Sequence, residues 1–257
     1  MISYSPQVHS VLIAAMLAKV HGDIAVLKGT ASPPGLFAAE TRNADNYSLP
    51  EVVKDYQSAF NLDIAWLNTG YGQQLKQLIQ LNLRHNSTNY AVIMQAITEA
   101  LEFGPQHCLQ GVSPASRKFA NQARTVQHEV HRMLGFVRFA AKGDRLLVTK
   151  PQLEHNTADL ILRGFQPRYP DHKLVLLLDG YAVSIYNYQL NKEAAEPYLD
   201  CLEDNATKDV WKHYYQSQYI ETRPNIALAQ QRIPQKYWDW MEVEGEILKS
   251  NKQKPED

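Results

Sequence analysis

Between Leu174 and Tyr186 the chain alternates around an Asp-Gly pair in a way that a β-hairpin accommodates and little else does. Leu174 to Leu178 is an unbroken aliphatic run. Asp179-Gly180 supplies the positive φ angles that a type I′ turn needs, and Tyr181 to Tyr186 returns with period two. In a two-residue hairpin Leu178 opposes Tyr181, Leu176 opposes Val183 and Leu174 opposes Ile185. One face of the ribbon is then apolar and needs a cover, for which a helix is the natural element. Upstream, a helix is expected from Ser116 to about Leu134, with Phe119, Ala123, Val126, Val130 and Met133 on its apolar side and Gly135 at its end. Phe136 to Ala141 reads as a strand, residues 142–144 as a turn and Leu146 to Thr149 as the returning strand. Asn156, with Asp159 three residues on, reads as the cap of a short helix through Leu160, Ile161 and Phe165, stopped by Pro167 and Pro170. The order helix, hairpin, helix, hairpin implies a small four-stranded antiparallel layer covered by helices.

The rest of the chain is expected to be mostly helical. Ser5-Pro6 suits a helix start, and Val8, Leu12, Ile13, Met16, Leu17 and Val20 give one apolar face. The N-terminus lacks a basic region, and His9, Lys19 and His21 interrupt its apolar stretch. It therefore reads as an amphipathic helix and not as a signal peptide. A short strand fits Ile24–Leu27, and helical periodicity returns at about 49–67, 72–84 and 88–103. Residues 206–242 read as a helical segment rich in aromatics, and 243–257 as a polar tail. The fold class is thus α+β: a helical part over 1–110, an α+β core over 111–242 and the tail, in one compact unit. No run of about 18 apolar residues is present, so no membrane partner is expected. The two cysteines, Cys108 and Cys201, form neither a metal pattern nor a disulfide framework, which suits a cytoplasmic location.

A net charge of −1 hides an uneven distribution. Residues 1–110 sum to −2 and residues 191–257 to −4, whereas 111–190 hold 11 basic against 6 acidic side chains, a net of +5. An anionic partner would sit on that middle segment. His128-Glu129-Val130-His131 superficially resembles a zinc-protease word. Its histidines are three apart where that motif needs four, and no third ligand stands near, so no metal is expected. Arg124, His128 and Arg132 share a helical face with His131 close by, and Arg138 follows on the next strand. Such a flank can hold phosphate by charge-assisted hydrogen bonds, and His131 could act as acid or base. The competing reading pairs Arg132 and Arg138 with Glu129, Glu154 or Asp159. Glu154-His155-Asn156 is a second cluster. There His155 could move a proton, Asn156 could bind or merely cap, and Arg163 and Arg168 add positive charge. Downstream, Trp211, Tyr214, Tyr215, Tyr219, Tyr237, Trp238 and Trp240 mix with Lys212, His213, Arg223, Arg232 and Lys236. They could stack bases or pack a core. No GxSxG, Walker A, dinucleotide-binding GxGxxG or iron–sulfur spacing is present, so no cofactor is expected.

Several words occur together and in order: HEVHRMLGFVRF at 128–139, EHN at 154–156, GFQPRYP at 164–170, WKHYY at 211–215 with Arg223 and Asn225, and IPQKYW at 233–238. On these the chain resembles a bacterial family of DNA-metabolism or DNA-repair proteins without an assigned reaction. The domain of that family also occurs fused to uracil-DNA glycosylases of the family-4 type and is paired with a radical-SAM protein. The resemblance covers about 116–240. It singles out Glu129, His131, Arg132, Phe136, Arg138, Phe139, His155, Asn156, Arg168, Trp211, Tyr215, Arg223, Tyr237 and Trp238. It implies a role beside DNA and a glycosylase or radical-SAM partner, with no catalytic mechanism. The chain departs from the pattern at Ser5-Pro6, at Gly164 in place of a histidine and at the Asp179-Gly180 loop, where an arginine is missing.

Three expectations follow. The first is a DNA-associated accessory protein that holds nucleic acid or nucleotide phosphate on its Arg/His face. The second is an enzyme on a damaged or modified nucleotide, with His131 and His155 in one pocket. The third is a module that docks onto a radical-SAM or glycosylase partner through an exposed apolar patch around Trp238 and Trp240.

Overall fold

The computed structural model describes residues 1–29, 41–202, 231 and 233–238. The chain divides into two compact units, Met1–His128 and Glu129–Asp257. The fold is mixed α+β. No helix among the described residues is long and apolar enough to cross a membrane.

The first unit is built around α1 (Val8–His21). Every residue from Ser10 to Leu17 is buried, so this helix is enclosed on all sides and is not the amphipathic helix expected from its spacing. The small side chains of Ser10, Ala14 and Ala15 let neighbours approach from the side that periodicity assigned to solvent. Ser5-Pro6 does not open the helix. Ile2–Tyr4 is a strand (β1), Gln7 occupies the cap position, and the Ser5 N–H is taken by Ser10 Oγ at 2.9 Å. Gly22, at φ 64°, ends α1 with its N–H on the Ala18 carbonyl. β1 lies between two parallel partners, β2 (Ala25–Leu27) and β3 (Arg42–Asn43). Helices α2 (Leu49–Phe60), α3 (Gly70–Arg84) and α4 (Tyr90–Phe103) pack around α1. Short α5 (Pro105–Leu109) leads into α6 (Pro114–Phe136), within which the division between the units falls. Buried Asn82 ties α3 to α6 by donating to the carbonyls of Leu78 and Phe119, at 2.8 and 2.9 Å.

The second unit carries a five-stranded sheet of order β4-β5-β6-β7-β8: Ala140–Lys142, Leu146–Thr149, Lys173–Leu178, Tyr181–Tyr186 and Gln189–Glu193. The expected hairpin register is observed, with Leu178 opposite Tyr181, Leu176 opposite Val183 and Leu174 opposite Ile185. Its turn differs from expectation: only Gly180 takes a positive φ (83°), so the geometry is not type I′. Both central residues have positive φ instead at Asn187 (48°) and Tyr188 (63°), where an unexpected fifth strand turns back.

The layer is also not wholly antiparallel. β5 and β6 run parallel, because α7 (Ala158–Phe165) carries the chain across one face and back to the same end. Ala158, Ile161, Leu162 and Phe165 of α7, with Met133 and Val137, cover Leu174, Leu176 and Ile185. The opposite face, with Val148, Val175, Leu177 and Ala182, is covered by Ala195, Tyr198 and Cys201. Gly135 does not stop α6. The Val137 N–H still reaches the Met133 carbonyl at 2.9 Å because both side chains belong to the core, and the strand expected from Phe136 begins only at Ala140. Most of the aromatic segment 206–242 and the tail lie outside the described residues.

Candidate functional site

Glu129 sits in the second unit with 2% of its surface exposed. An isolated carboxylate there would cost several kcal/mol, so its oxygens need donors. The loop after β5 supplies them. The Glu154 N–H donates to Oε2 at 2.6 Å, the His155 N–H to Oε1 at 3.1 Å and the Thr157 hydroxyl to Oε1 at 2.6 Å. Thr157, not Asn156, is the cap residue of α7, and its hydroxyl is turned away from the helix onto Glu129. The carboxylate thus fixes the loop from Glu154 to Thr157 in one shape at the start of α7.

That loop walls a cleft of about 720 Å³. Lys150, Gln152, His155, Asn156 and Thr157 line one side, and Leu177, Leu178, Asp179 and Tyr181 of the hairpin the other. The cleft lies beyond the carboxyl ends of the parallel pair β5 and β6, the position at which sheets with helical crossovers offer ligand sites. His155 is 8% exposed, and Asn156 beside it is open to solvent.

The sequence-selected residues separate in space. His131 is exposed on α6 and is not among the residues lining the cleft, so the structure does not bring it into one pocket with His155. The word at 128–131 is split by the helical turn, with His128 and His131 exposed and Glu129 buried. Arg124 is exposed, with Nη1 donating to Asn121 Oδ1 at 3.3 Å, and Arg132 is half-buried. Arg138 and Arg168 serve the carboxyl end of α6. Arg138 Nη1 donates to the carbonyls of Gly135 (2.6 Å) and Val137 (3.2 Å). Arg168 Nη1 reaches Leu134 O at 3.5 Å, with its guanidinium 5.3 Å from the Phe165 ring centre. Cations there complement the partial negative charge of the helix end. Arg163 is exposed on α7.

Phe136 meets Tyr237, and Phe139 meets the edges of Phe165 and Tyr169, so these aromatics build core. Tyr237 and Trp238 are buried, with Trp238 Nε1 donating to Ile233 O at 3.0 Å, which removes Trp238 from any exposed docking patch. Trp211, Tyr215, Arg223 and Trp240 lie outside the described residues. At Gly164 a Cβ would fall 2.6 Å from Leu134 Cδ2, so Leu134 occupies space that a larger residue would need.

Glu129, Glu154 and His155 each place one ligand-type atom within 4.8 Å of the others. Two carboxylates and an imidazole are a donor set for a divalent cation. Glu129, however, already accepts from three donors, and its role here is to hold the loop. Sequence reasoning missed Thr157, Lys150, Asp179 and Tyr181. Only Thr157 carried a signal, as a hydroxyl residue directly before an apolar helical run.

Residues 87–242 match the sequence profile of DUF4130, a domain of unknown function. The chain belongs to this family. No curated protein matches it. The matched span of this DUF4130 member contains all of α6, the five-stranded sheet and the cleft.

Proposed function

We propose that this DUF4130 protein is an accessory factor of DNA metabolism that holds a nucleotide, free or within a strand, in the cleft of its second unit. The observation that carries the reading is the lining of that cleft. Lys150 offers a cation for phosphate, and the amides of Gln152 and Asn156 can donate to and accept from a base edge. Leu177, Leu178 and the Tyr181 ring give an apolar wall, and the volume lies within the usual range of about 300–1,000 Å³ for small-molecule sites. The resemblance supports the same class of partner, since a domain fused to uracil-DNA glycosylases and paired with a radical-SAM protein works beside DNA. Such a protein acts in the cytoplasm, and docking onto one of those partners belongs to the proposal. The placement of His155 in the cleft favours a second reading, an enzyme on a modified nucleotide with His155 as acid or base.

Fluorescence anisotropy with a labelled single strand, competed by mononucleotides, tests the first reading. Asn156→Ala and Lys150→Ala should each weaken binding about tenfold, the effect of losing roughly 1.4 kcal/mol. Absence of saturable binding at low salt, or variants that bind like the parent, would overturn it. Turnover of a modified nucleotide that is lost in His155→Asn while binding persists would establish the second.

A further inference from the structure

The first unit contains a groove that the cleft does not involve. It has a volume of about 390 Å³ and lies open beside the first half of α6, with His85, just after α3, among its lining residues. Arg117, Lys118, Asn121, Gln122 and Thr125 line it. On a helix, steps of three, four and seven residues return to one side, so these side chains form a stripe. Ala115, Phe119, Ala123 and Val126 are buried on the other side and fix the stripe outward. Arg117, Lys118 and Asn121 are exposed, and no aspartate or glutamate is among the described residues that line it.

The polar groups are set in orientation. His85 Nδ1 accepts the Ser87 N–H at 3.0 Å, which fixes the plane of the ring in the lining of the groove. Asn121 Oδ1 accepts from Arg124, so its NH2 group remains to donate. Gln122 Nε2 donates to Ser87 O at 3.2 Å and ties the loop after α3 to α6, and Asn82 makes a second tie deeper in the unit. The helix terminus is not the attraction, because the hydroxyl and carbonyl of Ser113 take the N–H groups of Ser116 and Arg117 at 3.0 and 2.9 Å.

We infer that this groove binds the sugar–phosphate backbone of a nucleic acid strand, with Arg117 and Lys118 on phosphates and Asn121 donating between them. Two cations with no acid among the described lining residues, beside the Asn121 amide donor, match a polyanion whose charges repeat along a line. The groove reads no base, so it contributes affinity and position and leaves sequence aside. It shares with the proposed function the class of partner and none of the residues.

The test compares the full-length protein with Arg117→Gln/Lys118→Gln, and separately with Lys118→Glu. Glutamine at 117 keeps a stem beside Gly111, where an added Cβ would lie 3.2 Å from the Arg117 Cα. Circular dichroism verifies the fold. Anisotropy is measured on single- and double-stranded oligonucleotides across about 50–200 mM salt. The double variant should lose about tenfold or more at low salt, and its log–log salt slope should fall by about two on duplex DNA. Its mononucleotide binding should equal that of the parent, whereas Asn156→Ala should weaken mononucleotide binding and leave the salt slope on duplex DNA unchanged. An unchanged slope and affinity would overturn the groove, and so would polyglutamate competing as well as an oligonucleotide of equal charge. Failure of Asn156→Ala alone to affect mononucleotides would overturn the cleft and leave the groove standing.

Discussion

Glu129 carries a formal charge into a place with almost no water, and three donors from one loop make that tolerable. Charge-assisted bonds of this kind contribute about 1.5–3 kcal/mol each, and removing one partner leaves the others buried and unpaired. Glu129→Gln keeps the shape but turns an NH2 group against groups that also donate. It should destabilise the second unit by about 2–4 kcal/mol in urea titrations. Thr157→Val removes one donor and should cost about 1–2 kcal/mol. A loss in Thr157→Val as large as in Glu129→Gln would show that the hydroxyl, and not the carboxylate, organises the loop. His131 and Arg132 lie in the same word as Glu129 and on the same helix. Their fates differ because a helix turns about 100° per residue and sends adjacent side chains in different directions.

The β7–β8 connection shows the same point for an element. Asn187 and Tyr188 both adopt positive φ, and Tyr188 has no glycine-like freedom to do so. A non-glycine residue there costs roughly 1–2 kcal/mol, so Tyr188→Gly should raise the urea midpoint by an amount equivalent to about 1 kcal/mol. A lowered midpoint would mean that the exposed Tyr188 ring contributes more than its backbone costs. The hairpin at 174–186 was legible down to its register because a two-residue turn at Asp179-Gly180 between two apolar runs fixes which residues oppose each other. Strand β8 was not, because Gln189, Asn191 and Lys192 carry no apolar alternation and its turn lacks glycine. The parallel pairing of β5 with β6 was hidden for a different reason. Each strand's own pattern is the same in either direction, and the direction is set by where α7 docks.

Each unit has a carboxylate held far below its ordinary range, and acid should reveal both. Hydrogen bonds from Lys28, Ser10 and Ser5 lower Asp45 to about 2 in the first unit. In the second, burial alone would raise Glu193, but hydrogen bonds from Lys173, Ser184 and Tyr198 outweigh it and bring the value to about 2. A depressed carboxylate stabilises fully above its unfolded value, near 4, and that contribution disappears as pH falls toward 2. Melting temperature should therefore hold from neutrality to about pH 5 and drop between about pH 4 and 2, with Asp45→Asn and Glu193→Gln each flattening part of the drop. A drop of full size in both variants would assign it to other carboxylates. At this scale the sequence by itself determined the α+β class, most of the helical spans among the described residues and the central hairpin, since all of these rest on local periodicity and turn residues. Only the tertiary structure decided that α1 is enclosed, that α7 makes a crossover and that Glu129 clasps a loop some 25 residues away, walling a cleft with Asp179 and Tyr181 opposite. The physical reason is that burial and charge compensation depend on which surfaces meet, and no local pattern in the chain records that.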